Sequence, residues 1–215
     1  MKKIFLLCIT ALFLSGLSVN AQTKPITFGV KVGMNLSDLK GDDTDGFRDR
    51  FAGIAGITVD FAITNNLYLM TGLEYAEKGA KITFEEEVGD DIYGKVESRV
   101  SPSYLQLPVH IGLKLGIGDN GNTKFVLHGG GYAAYGVRGR VTNSWIGEDG
   151  WVTEKSDLFT DNGFKRFDCG VGVGGGFEFN HFVVDGGFNY GLLDVSKSEG
   201  KVRNINGYVT LGFKF

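Results

Sequence analysis

The chain has little cysteine and little proline, with two Cys and three Pro among 215 residues. Cys8 lies in an apolar stretch near the start, so the rest of the chain has the single thiol of Cys169 and closes no disulfide within itself. Beyond residue 21 there is no run of about 18 apolar residues, which excludes a transmembrane helix there. No Gly-X-Y period is present either, which excludes collagen.

Glycine and aromatic residues are abundant instead, with 34 Gly, 17 Phe and 8 Tyr. A glycine-rich and aromatic-rich chain with little proline is typical of β-structure.

The first residues have the features of a secretory signal. Lys2 and Lys3 precede the apolar run from Ile4 to Leu17, and Val19-Asn20-Ala21 has the small-x-Ala pattern of a signal-peptidase site. The alternative, a membrane anchor, is disfavoured because the run is short and the cleavage pattern follows at once. We therefore predict a signal peptide at residues 1–21 and one barrel domain at 22–215.

Apolar and small or polar residues alternate with a period of two through most of this domain, which predicts strands rather than helices. In the stretch from Phe167 to Phe179, for example, Val171 and Val173 alternate with Gly170, Gly172 and Gly174. Eight such stretches occur: 26–36, 51–63, 67–79, 105–115, 125–138, 167–179, 182–192 and 204–215.

The links between these strands alternate in length. Residues 37–50, 80–100, 142–165 and 194–201 are the long links, whereas 64–66, 116–123 and Asn180-His181 are short. This pattern predicts an all-β, eight-stranded antiparallel up-and-down barrel, with both ends of the mature chain on the short-turn side.

The bulky residues lie on one face and the glycines on the other. Because an eight-stranded barrel has a narrow interior, we expect the glycine face inside and the apolar face against hydrocarbon. This predicts a transmembrane β-barrel in the outer membrane, with the long loops extracellular and the termini periplasmic. The alternative, a lipocalin-like soluble barrel, needs a charged outer face that these strands lack.

Several short segments resemble the PorT-like outer-membrane β-barrel family of Bacteroidota: Gly72-Leu73-Glu74-Tyr75, Lys78-Gly79, the stretch from Tyr104 to Val109, Phe167-Asp168-x-Gly170 and Gly212-Phe213-Lys214-Phe215. The resemblance implies an eight-stranded outer-membrane barrel. It also implies a C-terminal aromatic signal, Phe213 and Phe215, read by the barrel-insertion machinery. It supplies no catalytic motif.

The inward face carries charges of both signs, which predicts a paired network that plugs the lumen rather than an open channel. We expect Arg138 to pair with Asp168, with Glu74 as a further partner. The predicted network comprises Lys31, Asp60, Glu74, Lys114, Arg138, Asp168, Glu178, Asp185 and Lys214.

Residues that could carry other chemistry are few. His110 and His128 face inward on adjacent strands, so a metal pair is conceivable, but we favour hydrogen-bonded packing. Asp42, Asp43 and Asp45 resemble half of a calcium loop without its later ligands. We therefore predict no metal, no cofactor and no catalytic residue.

The long links are acidic in three cases of four, which disfavours nucleic acid as a partner. Trp145 and Trp151 lie in the longest link, where they either anchor at the membrane interface, which we favour, or form a binding surface. Phe159, in the same link, is a further candidate for surface binding. The expected partners are outer-membrane lipid, the insertion machinery and an unknown extracellular or envelope protein. The prediction is a non-catalytic structural or surface-recognition barrel. The alternatives are a porin-like narrow pore and, less favoured, an enzyme acting on outer-leaflet lipid.

Overall fold

A computed structural model describes residues 26–42, 46–89, 92–118, 122–147, 150–161, 163–197 and 200–215. The predicted signal peptide and two of the acidic residues of the half calcium loop, Asp43 and Asp45, lie outside the described residues. No helix in these ranges is long and apolar enough to cross a membrane.

All elements in the described ranges are antiparallel β-strands. They are β1 (Ile26–Gly41), β2 (Phe47–Ala62), β3 (Leu67–Glu77), β4 (Ala80–Gly89), β5 (Ile92–Ile117), β6 (Thr123–Gly147), β7 (Gly150–Asp157), β8 (Phe167–Phe179), β9 (Phe182–Gly191) and β10 (Val202–Lys214).

These ten elements form a ring of eight. β3 and β4 are two parts of the third ring strand, since both pair with β5 in one continuous register and both pair with β2, where the register shifts by one residue between them. β7 and β8 both pair with β6 and form the sixth. The ring closes where β1 pairs with β10, from Gly29 opposite Lys214 to Gly41 opposite Val202. The predicted eight-stranded antiparallel barrel is confirmed.

The side-chain faces follow the predicted alternation. Val171 is 48% exposed and Leu211 is 61% exposed on the outer wall, whereas their neighbour Thr210 is 2% exposed in the lumen. Some glycines, such as Gly131 opposite Val171, instead lie on the outer face. Near the short turns the outer wall is aromatic, with ring contacts that join Phe125, Phe177 and Phe179 in one group and His181, Phe182, Phe213 and Phe215 in another. An apolar band with an aromatic rim on the short-turn side matches an outer-membrane barrel.

The interpretation of the long links as loops was wrong for three of the four. β1 and β2 cover most of 37–50, β4 and β5 cover most of 80–100, and β6 and β7 cover most of 142–157. Backbone pairing defines these segments as strands. They contain charged and polar residues and lack the alternating apolar pattern from which strands are predicted. The described residues of the link 194–201, which are 194–197 and 200–201, lie outside the strands, as predicted.

The strand residues that exceed the predicted stretches extend past one end of the barrel. β4, the first third of β5, the last third of β6 and β7 form a four-stranded sheet beyond the ring, with Glu97 paired with Ser144 and Thr142 paired with Lys155. We call this the outer sheet, and the rim from which it rises the mouth of the barrel.

Candidate functional site

Inward-facing charges fill the lumen in three layers. The layer nearest the short turns holds Asp60, Lys114, Glu178 and Lys214, contributed by β2, β5, β8 and β10. Lys114 Nζ lies 2.7 Å from Asp60 Oδ2 and 3.0 Å from Glu178 Oε2. Lys214 Nζ lies 2.6 Å and 2.8 Å from the same two oxygens. Two cations and two anions from four strands therefore pair across the lower layer of the lumen.

The middle layer contains one ion pair and a histidine pair. Lys31 Nζ lies 2.6 Å from Glu74 Oε1. His110 Nδ1 lies 2.8 Å from His128 Nδ1, and His128 Nε2 lies 3.0 Å from Asp185 Oδ1. A cavity of about 80 Å³ borders both groups. This layer is polar and incompletely filled.

The upper layer is built around a pair absent from the predicted network. Lys78 Nζ lies 3.4 Å from Asp168 Oδ2, and it also sits over the rings of Tyr132 at 4.3 Å and Tyr104 at 5.3 Å. Asp168 Oδ2 further accepts hydrogen bonds from Tyr132 and Asn204. The alternation of the inward residues Glu74 and Ala76 continues to position 78. The sequence therefore contained the pattern that predicts Lys78 to face the lumen.

Arg138 is exposed and does not join the network, so the predicted Arg138–Asp168 pair was wrong. The cause is a β-bulge, because Ser103 pairs with Arg138 while Tyr104 pairs with Gly136, which leaves Val137 as the extra residue. One extra residue reverses the faces of every residue beyond it. Glu74 pairs with Lys31 rather than joining Asp168.

Phe159 closes the mouth above the upper layer. It is 9% exposed, contacts Tyr104 edge-on with 6.3 Å between ring centroids, and carries the Arg166 guanidinium 4.6 Å over its ring. Gly136 makes room for it, because a Cβ at that position would overlap the Phe159 ring. The interpretation of Phe159 as a surface-binding residue was wrong, since the chain after β7 folds into the barrel.

Trp145 and Trp151 lie on the β6–β7 hairpin, away from the lumen. Trp151 is 63% exposed. Trp145 pairs with Val152, and Trp151 pairs with position 146, which follows Trp145, so the two indoles lie on opposite faces of the hairpin. They do not form one joint surface.

The described residues contain no group of three or more His, Cys, Asp or Glu side chains that could hold a metal ion. His110 and His128 lie inside the lumen, and His181 stacks on Phe213 at a short turn. An enzyme acting on outer-leaflet lipid needs a histidine beside a nucleophile at the mouth.

Comparisons with known proteins give structural likeness at low identity. Ail of Yersinia pestis, solved in complex with the heparin analogue sucrose octasulfate, is 14% identical over 88% of this chain and 99% of Ail, with a TM-score of 0.39. Neisserial surface protein A is 13% identical over 87% of this chain and 97% of its own, with a TM-score of 0.38. OprG from Pseudomonas aeruginosa is 15% identical over 88% and 95%, with a TM-score of 0.36.

No curated protein matches the sequence. The family described as "Outer membrane protein beta-barrel domain" matches residues 20–197, which is most of the chain. The closed ring of eight strands, its apolar outer wall and its aromatic rim agree with that match. The chain belongs to this outer-membrane β-barrel family.

Proposed function

We propose that the protein acts without catalysis, as a closed outer-membrane barrel that holds its outer sheet above the membrane for surface recognition. The observation that carries this proposal is the filled lumen. Three layers of paired polar side chains and the Phe159 ring occupy it in the described part of the chain. A narrow barrel filled in this way supports a structural role better than a pore.

The outer sheet is the part of the molecule best placed to meet a partner. β7 pairs with β6 on one side, and no strand in the described ranges pairs with its other edge. A free strand edge can accept an extended segment of a partner by backbone hydrogen bonding. Exposed Trp151 and Val152 beside that edge supply apolar area for the contact.

The proposal includes an orientation and an origin. The mouth faces the exterior and the short turns face the periplasm, residues 1–21 direct export, and Phe213 and Phe215 direct insertion into the membrane. The sequence resemblance supports a PorT-like protein within the family. Cysteine labelling of intact cells tests the orientation. With Cys169 replaced by Ala, a cysteine at Thr153 reacts with an impermeant maleimide and one at Asn65 does not.

Recognition is tested by replacing residues 143–154 with Asn-Gly. Thr142 pairs with Lys155 in the structure, so a two-residue turn joins them without a change of register. The matched control replaces residues 84–96 with Asn-Gly, because Thr83 pairs with Glu97 on the neighbouring hairpin.

Crosslinking in native outer membranes provides the readout. We expect both variants to insert into the membrane. Only the variant that lacks residues 143–154 should fail to crosslink to the protein that crosslinks to the wild type. Retention of the crosslink by the first variant, or its loss in the control alone, contradicts the assignment to the β6–β7 hairpin.

A further inference from the structure

His110 and His128 share a single hydrogen bond in the middle of the lumen. Their Nδ1 atoms lie 2.8 Å apart, their ring centroids 5.1 Å apart, and their planes differ by 24°. This centroid separation is close to the largest that two imidazoles can have at that nitrogen distance, so the two nitrogens point at each other. Ligands of one metal ion need lone pairs that converge on a third point. The geometry is that of an N–H···N bond.

Asp185 sets the position of the protons in this pair. A carboxylate only accepts hydrogen bonds, so His128 Nε2, 3.0 Å from Asp185 Oδ1, carries a hydrogen. In the uncharged pair, His128 Nδ1 is then bare and accepts the hydrogen of His110 Nδ1. His110 Nε2 is consequently also bare. It is buried, has no hydrogen-bond partner among the described residues, and belongs to a side chain that lines the cavity.

The charges around the cavity leave one carboxylate without a fixed cation. Lys31 pairs with Glu74, and Lys214 pairs with Asp60. Tyr208 also lines the cavity, and β8 contributes glycines, of which Gly174 lies close enough that its Cβ would stand 2.6 Å from the His128 ring. In the described part of the chain, the ion-pair partner of Asp185 is His128 alone. A lumen carboxylate in this position favours a positive charge on the imidazole beside it.

We propose that the cavity is a proton-binding site, with His110 as the acceptor and the His128–Asp185 pair as the place where the charge rests. A hydronium ion in the cavity gives its proton to His110 Nε2 and becomes water. The Nδ1–H bond of His110 breaks and an Nδ1–H bond forms on His128. His110 ends neutral, with its hydrogen on Nε2, and His128 ends as an imidazolium against the Asp185 carboxylate.

No ring has to rotate during this transfer, because each proton moves along an existing contact or into the cavity. The pair accepts one proton in this geometry. A second would set two N–H groups against each other across 2.8 Å. The proton-binding site does not require the barrel to be closed to solutes. A negative result for the site therefore leaves the proposed function standing, and a negative result for the proposed function leaves the site standing.

The test is ¹⁵N NMR of the full chain in lipid nanodiscs with ¹⁵N-labelled histidine, recorded across the pH range. We expect the pair to take up one proton in a single step, after which both nitrogens of His128 carry hydrogen and His110 stays neutral. His181, at an exposed turn, serves as the internal reference. Simultaneous charging of both lumen histidines, or a charge that stays on His110, overturns the proposal.

A variant pair tests the role of Asp185. Asp185→Asn is expected to move the midpoint of proton uptake by the histidine pair, because an uncharged amide replaces the carboxylate that faces His128 Nε2. Asp194→Asn, which removes a carboxylate outside the lumen, is expected to leave the midpoint unchanged. Equal midpoints in Asp185→Asn and the wild type would contradict the relay. The wild-type spectra decide the question alone should Asp185→Asn not fold.

Discussion

Lys78 and Asp168 form an ion pair sealed inside the barrel, 3.4 Å between Lys78 Nζ and Asp168 Oδ2, with neither side chain more than 1% exposed. Lys78 lies at the break between β3 and β4, and Asp168 lies near the start of β8. The pair therefore ties the third ring strand to the sixth across the lumen.

Removal of one partner of this pair is expected to destabilise the barrel strongly, because the other charge stays buried without compensation. We predict a loss of about 3–5 kcal/mol in the free energy of unfolding for Asp168→Ala. Urea unfolding in detergent micelles, followed by the gel-mobility difference between folded and unfolded barrel, measures it. Arg138→Ala is the control and should change stability little, since Arg138 is exposed. A larger loss for Arg138→Ala than for Asp168→Ala would mean that the pairing is misassigned.

Phe159 is expected to contribute to stability as a buried side chain and not as a surface one. Phe159→Ala should cost about 3–5 kcal/mol, the range for truncating a buried phenylalanine. Trp151→Ala removes a larger ring but should cost far less, because Trp151 is exposed. The same unfolding assay compares the two variants. Equal losses would show that the Phe159 ring does not seat in the mouth.

The faces of the barrel strands could be predicted from the sequence, whereas the elements at the mouth could not. Alternation identifies Val171 as outward and Asp168 as inward without any knowledge of the fold. The bulge at Val137 has no such signal, and it alone turns Arg138 outward. The burial of Phe159 depends on Gly136, which lies far from it in sequence. Partners in the lumen depend on the stagger of the strands, so Asp168 could be placed inside but not paired with Lys78.

The segment that joins β9 to β10 near the mouth should respond to acid through Asp194. Partial burial acts to raise the pKa of Asp194, but hydrogen bonds from Lys165 and from the N–H groups of Val202 and Ser196 outweigh it and lower the pKa below the usual value of 3.8. The stabilisation is therefore complete above the unfolded-state pKa and is lost as pH falls through the lowered folded-state pKa.

Hydrogen exchange of the Ser196 and Val202 amides, read by mass spectrometry, tests this expectation. The pH is lowered from about 5 through the range in which aspartate is protonated. We expect protection to fall only below the ordinary aspartate pKa, and Asp194→Asn to remove the pH dependence. An unchanged acid response in Asp194→Asn would assign the effect to another carboxyl group.

Membrane embedding predicts which positions meet lipid. With Cys169 replaced by Ala, spin labels at Val171, Phe188 and Leu211 should report hydrocarbon, because these side chains are exposed on the outer wall. Labels at Asn189 and Thr210, one residue away on the lumen face, should not. Oxygen and nickel-chelate accessibility in liposomes distinguishes the two sets. The reverse pattern would exclude the assigned faces.

The central claim is that the lumen is filled, and planar-bilayer recording of the purified full chain tests it most directly. Insertion is verified by the folded-barrel mobility of protein recovered from the same liposomes that are fused to the bilayer. Because two cations and two anions pair across the lower layer of the lumen and Phe159 closes the mouth, we predict no steady conductance at any voltage the bilayer withstands. A stable, reproducible single-channel conductance from the wild-type chain would contradict the account.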